Sequence, residues 1–325
     1  MRVRWHASVV AVLVSAIIPT FNRANYISRA IRGALDQRLV EGEVEVIVVD
    51  DGSTDNTADV VEAFDSVRYL HQSNRKEGAA RNTGAAEAHG TYLAFCDSDD
   101  FWLAGKLAAD VARFEASDRP ALVYSRPLNV DEADRPLGVR LLSTCEGDVF
   151  WPLAREAFMP MSTIAVRADA FRACAGFIED PRLSGTADWE LWLRIAARWP
   201  VGFVDQARTC MRVHATSMLS TPGYMDRAML SGVHYALLDP VVAQRVRGRE
   251  NYLRACMYVT LALHSYRHRR RARTIRWLAQ ALAAWPLQVA DPRFLGATAR
   301  ALLGPGIVGA LKRRPAHACP ELVEG

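Results

Sequence analysis

Between Phe95 and Trp102 the chain reads Phe-Cys-Asp97-Ser98-Asp99-Asp100-Phe-Trp, three carboxylates within four residues directly after the apolar run Thr91–Phe95. Carboxylates crowded this closely repel one another unless a cation intervenes, and hard divalent ions such as Mg²⁺ or Mn²⁺ prefer oxygen ligands. A second acidic strand end follows Val44–Val49, where the chain reads Asp50-Asp51-Gly52-Ser53-Thr54-Asp55. Two such ends on one sheet would point at one cleft. The competing reading of Asp97–Asp100 is a solvated acidic turn capping a helix that begins near Leu103.

The elements that must position these acids are legible in the periodicity. Val14–Ile18 is a short β-branched run broken by Pro19-Thr20-Phe21-Asn22-Arg23. Tyr26–Gln37 has apolar residues at Ile27, Ala30, Ile31, Ala34 and Leu35, which is helical spacing. Val44–Val49 reads as a buried strand, and the Ser, Thr, Asp and Asn residues after it are those that start helices. Val67–Leu70 is a weaker strand, followed by a small-residue helix over about 79–88. Strands alternating with helices of this length give βαβ units, a parallel sheet and right-handed crossovers. In such sheets ligands bind beyond the carboxyl ends of the strands.

Four segments, Ile17–Arg23, Val48–Thr57, Gly78-Ala-Ala-Arg-Asn-Thr-Gly84 and Asp97–Asp100, occur in the order and spacing of family 2 glycosyltransferases, and the likeness spans roughly residues 13–220. The resemblance implies an α/β chain with the GT-A fold, a Rossmann-like, doubly wound and mostly parallel sheet. It also implies an inverting transfer of sugar from a nucleotide-diphosphate sugar, with Mg²⁺ or Mn²⁺ as cofactor. By that resemblance Asp97-Ser-Asp99-Asp100 is the DxD motif. Asp99 and Asp100 then hold the metal, and Asp97 and Asp99 contact the sugar nucleotide. Asp51 accepts a hydrogen bond from the base, ahead of Asp50, and Pro19, Thr20, Phe21 and Arg23 surround it. Arg81 faces the base and diphosphate.

Further along, Thr186-Ala187-Asp188-Trp189-Glu190-Leu191-Trp192-Leu193-Arg194 resembles the family's helix that carries the catalytic base, which makes Asp188 that base. Inversion needs a carboxylate to take the acceptor hydroxyl's proton as the oxygen attacks. The acid that usually precedes this Asp is replaced by Ala187, and Glu190 is the competing candidate. Thr209–Met218 resembles the strand and loop that close the family's domain, so His214 is a candidate metal or diphosphate ligand and Arg212 a candidate diphosphate contact. Trp102 is expected to pack, and Lys106 to be a surface charge or a lid contact.

With 325 residues and 50% hydrophobic content, the chain can bury one sizeable core plus a helical appendage. A formal net charge of +4 is too small to argue for nucleic acid. The six cysteines show no CxxC pair, and reduced thiols in a cytoplasmic protein are the default reading. Arg2, Arg4 and Ala7–Ile18 have the look of a signal peptide, yet cleavage after Ala16 would remove half of the first strand. That segment therefore reads as a native strand with an untidy leader. The domains read as 1–220 nucleotide-sugar binding and catalysis, 221–315 a helical extension, and 316–325 a tail without periodicity.

The run Arg267-His-Arg-Arg-Arg271, with Arg273 and Arg276, lies between apolar helices over 252–263 and 275–284. It is a solvated face or a docking patch for an anionic membrane surface, where each basic residue adds about 1 kcal/mol. The second option suits a cytoplasmic enzyme held at the inner face of the plasma membrane and acting on glycan or lipid-linked acceptors. A nucleotidyltransferase would want a Gly-rich phosphate loop after the first strand, which Pro19–Arg23 lacks. A non-catalytic nucleotide-sugar-binding scaffold has only Ala187 in its favour.

Overall fold

The computed structural model describes residues 11–140, 143–214 and 224–301. The leader at 1–10, part of the loop after His214 and the tail from 316 lie outside them.

The first strands follow the sequence closely. β1 (Val12–Thr20), β2 (Glu43–Asp50), β3 (Val67–His71) and β4 (Tyr92–Phe95) are joined by α1 (Ile27–Leu35), α2 (Thr57–Glu62) and α3 (Lys76–Ala86). β1 pairs in parallel with both β2 and β4, and β2 with β3, so all four acid-bearing or loop-bearing ends point the same way. β2 shows why its sequence is a continuous apolar run. Val46 and Val48 face the core beneath α1 and α2, and Ile47 and Val49 face Ala80 of α3 on the other side. Strands covered on both faces lose the polar/apolar alternation. α3 is built of small residues because it lies close. A Cβ at Gly84 would come within 2.6 Å of Ile17 Cγ2.

Past β4 the sheet becomes mixed. Its order is β3-β2-β1-β4-β8-β6-β9-β5, with β7 (Pro136–Val139) hairpinned onto β6 (Leu122–Val130). β8 (Ala165–Arg167) runs antiparallel to β4 and β6, while β9 (Val201–Arg212) runs parallel to β6 and antiparallel to the two-residue β5 (Phe101–Trp102). The long β9 therefore reaches back to β5, which directly follows the acidic turn.

α4 (Lys106–Phe114) starts three residues later than expected and corrects one reading. Lys106 is neither a surface charge nor a lid contact. It is 1% exposed, its Nζ lies 2.5 Å from Asp110 Oδ2, and it sits over the Trp102 ring at 4.7 Å. Burial pushes the Asp110 carboxyl up to about 6 despite that partner. The i,i+4 spacing puts both charges on the core face of the helix, where only pairing makes burial tolerable.

The chain falls into two compact units, divided between Arg247 and Gly248. α8 (Tyr224–Leu238) and α9 (Pro240–Val246) thus belong to the first unit, although the sequence reading began the helical extension at 221. The second unit contains α10 (Glu250–Arg267) and α11 (Arg271–Ala284), packed through stacked Tyr258 and Trp277, and a further helix over 292–301. Arg267, Arg269, Arg270, Arg271 and Arg276 are exposed around the α10–α11 turn. Among the described residues no helix is long and apolar enough to cross a membrane. No disulfide is formed among them, and Cys96, Cys174, Cys210 and Cys256 are buried.

Candidate active site

The strand ends of β1 and β2 build one wall. Asp51 N–H donates to the Thr20 carbonyl at 2.8 Å, which locks the two ends together. Asp50 and Asp51 then part company. Asp50 accepts from Ser53 N–H through Oδ1 and from the Tyr69 hydroxyl through Oδ2, each at 2.8 Å. It shapes the turn. Asp51 Oδ1 accepts from Gln72 Nε2 at 2.7 Å and from Arg75 N–H at 2.9 Å, while Thr83 in turn holds Gln72. Its Oδ2 has no partner among the described residues, so a buried carboxylate is aimed and left one acceptor to spend. Pro19 and Thr20 end β1 in the core, and Phe21 is 44% exposed at the rim. Asn22 takes a positive φ of 53° to turn the loop, accepts from Thr54 N–H and donates its own N–H to Ser53. Arg23 is thereby turned toward the acidic cluster, with Nε 3.8 Å from Asp99 Oδ2.

The acidic turn divides its labour in the same way. Asp97 accepts from Arg81 at 2.6 Å. Asp99 Oδ2 lies 3.0 Å from His214 Nε2, and the His214 ring stacks on Tyr26. Asp100, expected as a metal ligand, is hydrogen-bonded through both carboxylate oxygens. Ser162 Oγ donates to its Oδ2 at 2.6 Å and Arg212 N–H to its Oδ1 at 2.9 Å, in a buried position. The second bond ties β9 to the acidic turn, and the first ties the Met161–Thr163 turn to it. Burial, reinforced by the charges of Asp99 and Asp97, pushes its carboxyl well above the usual range. Arg212, a candidate diphosphate contact in the sequence, is spent on structure as well. It donates to the carbonyls of Asp99, Asp131 and Glu132 and pairs with Asp134.

One prediction follows from the anchoring of Asp100. Asp100→Ala strands the Ser162 hydroxyl and a buried N–H, and should cost about 1–3 kcal/mol of stability. Urea unfolding of the variant checks this. A midpoint equal to that of the wild type would return Asp100 to a purely ligand role.

The third wall is α7 (Ala187–Ala196), which carries Asp188 in its first turn. The two acids of this helix are sharply distinguished. Glu190 is 0% exposed and bidentate to Arg194, which also binds the carbonyls of Cys174 and Gly176. It braces the helix. Asp188 is partly exposed, with its Oδ1 accepting from Trp189 N–H at 2.7 Å. Burial pushes its carboxyl up to about 6, with Asp97 and Glu77 adding to the rise and the Trp189 N–H and Arg81 opposing it. Arg81 is the hub. Burial works against its charge, but Asp97 and Glu77 outweigh that and raise its pKa. Asp97 is raised in turn by burial and by Asp99, against the pull of Arg81.

Asp99 and His214 supply one oxygen and one nitrogen at one point, a donor pair that suits Mg²⁺ or Mn²⁺ when substrate phosphates complete the sphere. No third His, Cys, Asp or Glu joins them in a ready-made cluster among the described residues. Ser162 was missed in the sequence. It sits in no motif, yet its Oγ holds Asp100 and Asp97 N–H and its carbonyl holds Trp102 Nε1. Glu77 was missed too, although its place four residues before Arg81 on α3 was a usable signal.

Residues 15–171 match the family described as Glycosyl transferase family 2. The chain carries a family 2 glycosyltransferase domain. It is 30% identical over 207 residues to an uncharacterized glycosyltransferase of Nostoc sp., a match covering 60% of this chain. The chain spans 33–61% of the length of that relative and of three other curated glycosyltransferases. S. aureus TarS 1-349 in complex with UDP-GlcNAc superposes with a TM-score of 0.58 at 17% identity, covering 83% of this chain and 91% of that one. Mannosyltransferase PcManGT from Pyrobaculum calidifontis, in complex with GDP-Man and Mn²⁺, superposes with a TM-score of 0.59 at 18% identity, covering 92% and 86%. The shared architecture is the GT-A fold of this glycosyltransferase family.

Proposed function

We propose that the chain transfers a sugar, with inversion, from a nucleotide-diphosphate sugar to a hydroxyl of a glycan or lipid-linked acceptor, in a metal-dependent reaction. The observation that carries this reading is the convergence of Asp51, Asp99 with His214, and Arg81 with Asp188 around the strand ends of one parallel sheet half. The free Oδ2 of Asp51 suits a base N–H, with Thr20, Phe21 and Arg23 beside it. Asp99 and His214 would hold the divalent ion, which supplies charge to offset the departing diphosphate. Arg81 keeps a fixed positive charge beside Asp97 and facing Asp188. Asp188, with its carboxyl near 6, is ionised at neutral pH yet basic enough to accept a proton from a hydroxyl. A single displacement with one base forms no covalent intermediate, so the anomeric configuration inverts.

The bound UDP-GlcNAc of TarS and GDP-Man of PcManGT support a nucleotide-sugar donor for this chain as well. The exposed arginines of the second unit support docking on an anionic membrane surface at the cytoplasmic face, and vesicle co-sedimentation with and without phosphatidylserine tests it. For the main reading, a panel of nucleotide sugars is incubated with the protein and Mg²⁺ or Mn²⁺. Release of nucleoside diphosphate from at least one donor is expected, and release from none would overturn it. The base pocket has its own test. Asp51→Ala should weaken nucleoside diphosphate binding by about 1–3 kcal/mol in isothermal titration, the worth of a buried hydrogen-bond acceptor. An unchanged affinity would move the pocket elsewhere.

A further inference from the structure

The helix that carries Asp188 begins without a side-chain cap, and its first residue is Ala187, where a second acid was expected. The turn that launches it is nevertheless held from outside. Glu77, in the first turn of α3, accepts from Ser184 Oγ through Oε1 at 2.8 Å and through Oε2 at 3.0 Å. Its Oε1 also accepts from Gly185 N–H at 2.8 Å. Thr186 then closes the turn on the Leu183 carbonyl at 2.8 Å, and two residues later comes Asp188. Gly185 has a positive φ of 85°, so the turn has a sharp bend at the point where Glu77 grips it. Glu77, Gly78, Ser184 and Ala187 line one narrow gap between the two helices.

Glu77 and Arg81 are four residues apart and share one face of α3, which lies between the acidic turn and α7. Arg81 binds Asp97, so α3 joins the turn that bears Asp99 to the turn that launches the base. Burial works against the Glu77 charge, but Arg81, the Ser184 hydroxyl and the Gly185 N–H outweigh it. The carboxylate is therefore kept ionised and occupied.

We propose that Glu77 is a positioning residue for the base. Its carboxylate, reaching across from α3, fixes the Ser184–Thr186 turn and so does from outside α7 what Ala187 cannot do within it. This rests on Asp188 being the base. Asp188 swings with the turn, and a misplacement on the order of 1 Å at a reacting group costs about 10²-fold.

The test compares Glu77→Ala, Glu77→Gln, Asp188→Asn and the double variant Glu77→Ala/Asp188→Asn in the full chain. Turnover is read as nucleoside diphosphate release from a donor selected in the panel, and affinity as titration with the nucleoside diphosphate. Glu77→Ala should lower turnover about 10–100-fold with affinity unchanged. Glu77→Gln, which keeps an acceptor for Gly185 N–H, should lose less. In the Asp188→Asn background the Ala change should cost less than about threefold, because residues acting as a unit are not additive. Hydrogen exchange at the amides of 184–189 should speed up in Glu77→Ala without any donor present.

Wild-type turnover in Asp188→Asn overturns the base itself, and with it the role given to Glu77. A crippled Asp188→Asn beside an intact Glu77→Ala overturns Glu77 alone. So do a multiplied loss in the double variant, a Gln variant as impaired as Ala, or unchanged exchange at 184–189.

Discussion

Asp188→Asn should cut turnover by about 10²–10⁴-fold, the usual worth of a positioned general base, while leaving nucleoside diphosphate affinity intact. The wild-type pH profile should point to the same group. A base works only when ionised, and burial raises this carboxyl to about 6. Activity should therefore fall as pH drops through that value, about tenfold per unit below it, and be flat above. The limb should vanish in the Asn variant. Glu190→Gln should lower stability instead, since it breaks a buried pair with Arg194 and faces about 200° around the helix from Asp188. Three results would overturn the assignment. They are wild-type turnover in the Asn variant, a larger catalytic loss at Glu190 at equal stability, and retained anomeric configuration by proton NMR of the product.

Chelation should abolish activity, and Asp99→Ala should reproduce most of that loss in the presence of metal. The side chain of Asp99 is 23% exposed and pairs with His214 and Arg23. The variant should thus fold normally, since Arg212 Nε binds the Asp99 carbonyl rather than its carboxylate. A loss of about 10²–10³-fold is expected, the value of one preorganised contact to charge developing on a leaving group. Asp59→Ala, on the exposed side of α2, is the control expected to remain near wild type. Full activity in EDTA, or an Asp99→Ala variant as active as Asp59→Ala, would remove metal from the reaction.

Much of this was legible in the residues because the parallel half of the sheet obeys local rules. Val46–Val49 reads as a buried strand because α1 and α2 cover one face and α3 the other. The motifs lie in order along the chain, three of them at strand ends of the parallel half and the fourth on α3. What the sequence hid was the partner chosen by each acid. Nothing local separates Asp99 from Asp100. The difference is made by Ser162 and Arg212, 62 and 112 residues away from Asp100. Lys106 hid for the opposite reason. A lysine at a helix start reads as solvated, and only its pairing with Asp110 over Trp102 permits burial. The boundary after Arg247 was also missed, because α8 has the composition of an appendage while it packs on α7 and belongs to the first unit.

The paired acids Asp50–Asp51 and Asp99–Asp100 have a consequence for how this site can change over time. In each pair one carboxylate is a fastener and its neighbour, on the proposed reading, an instrument, and adjacent residues near a strand end point to opposite sides. A shift of one residue in either loop would hand the instrument's position to the fastener and leave the fastened turn with nothing to grip. Insertions or deletions are therefore penalised twice at these positions, in folding and in ligand capture. Diversification toward a new nucleotide or sugar has its inexpensive routes at Phe21 and Arg23, which ride on the fasteners without being part of them.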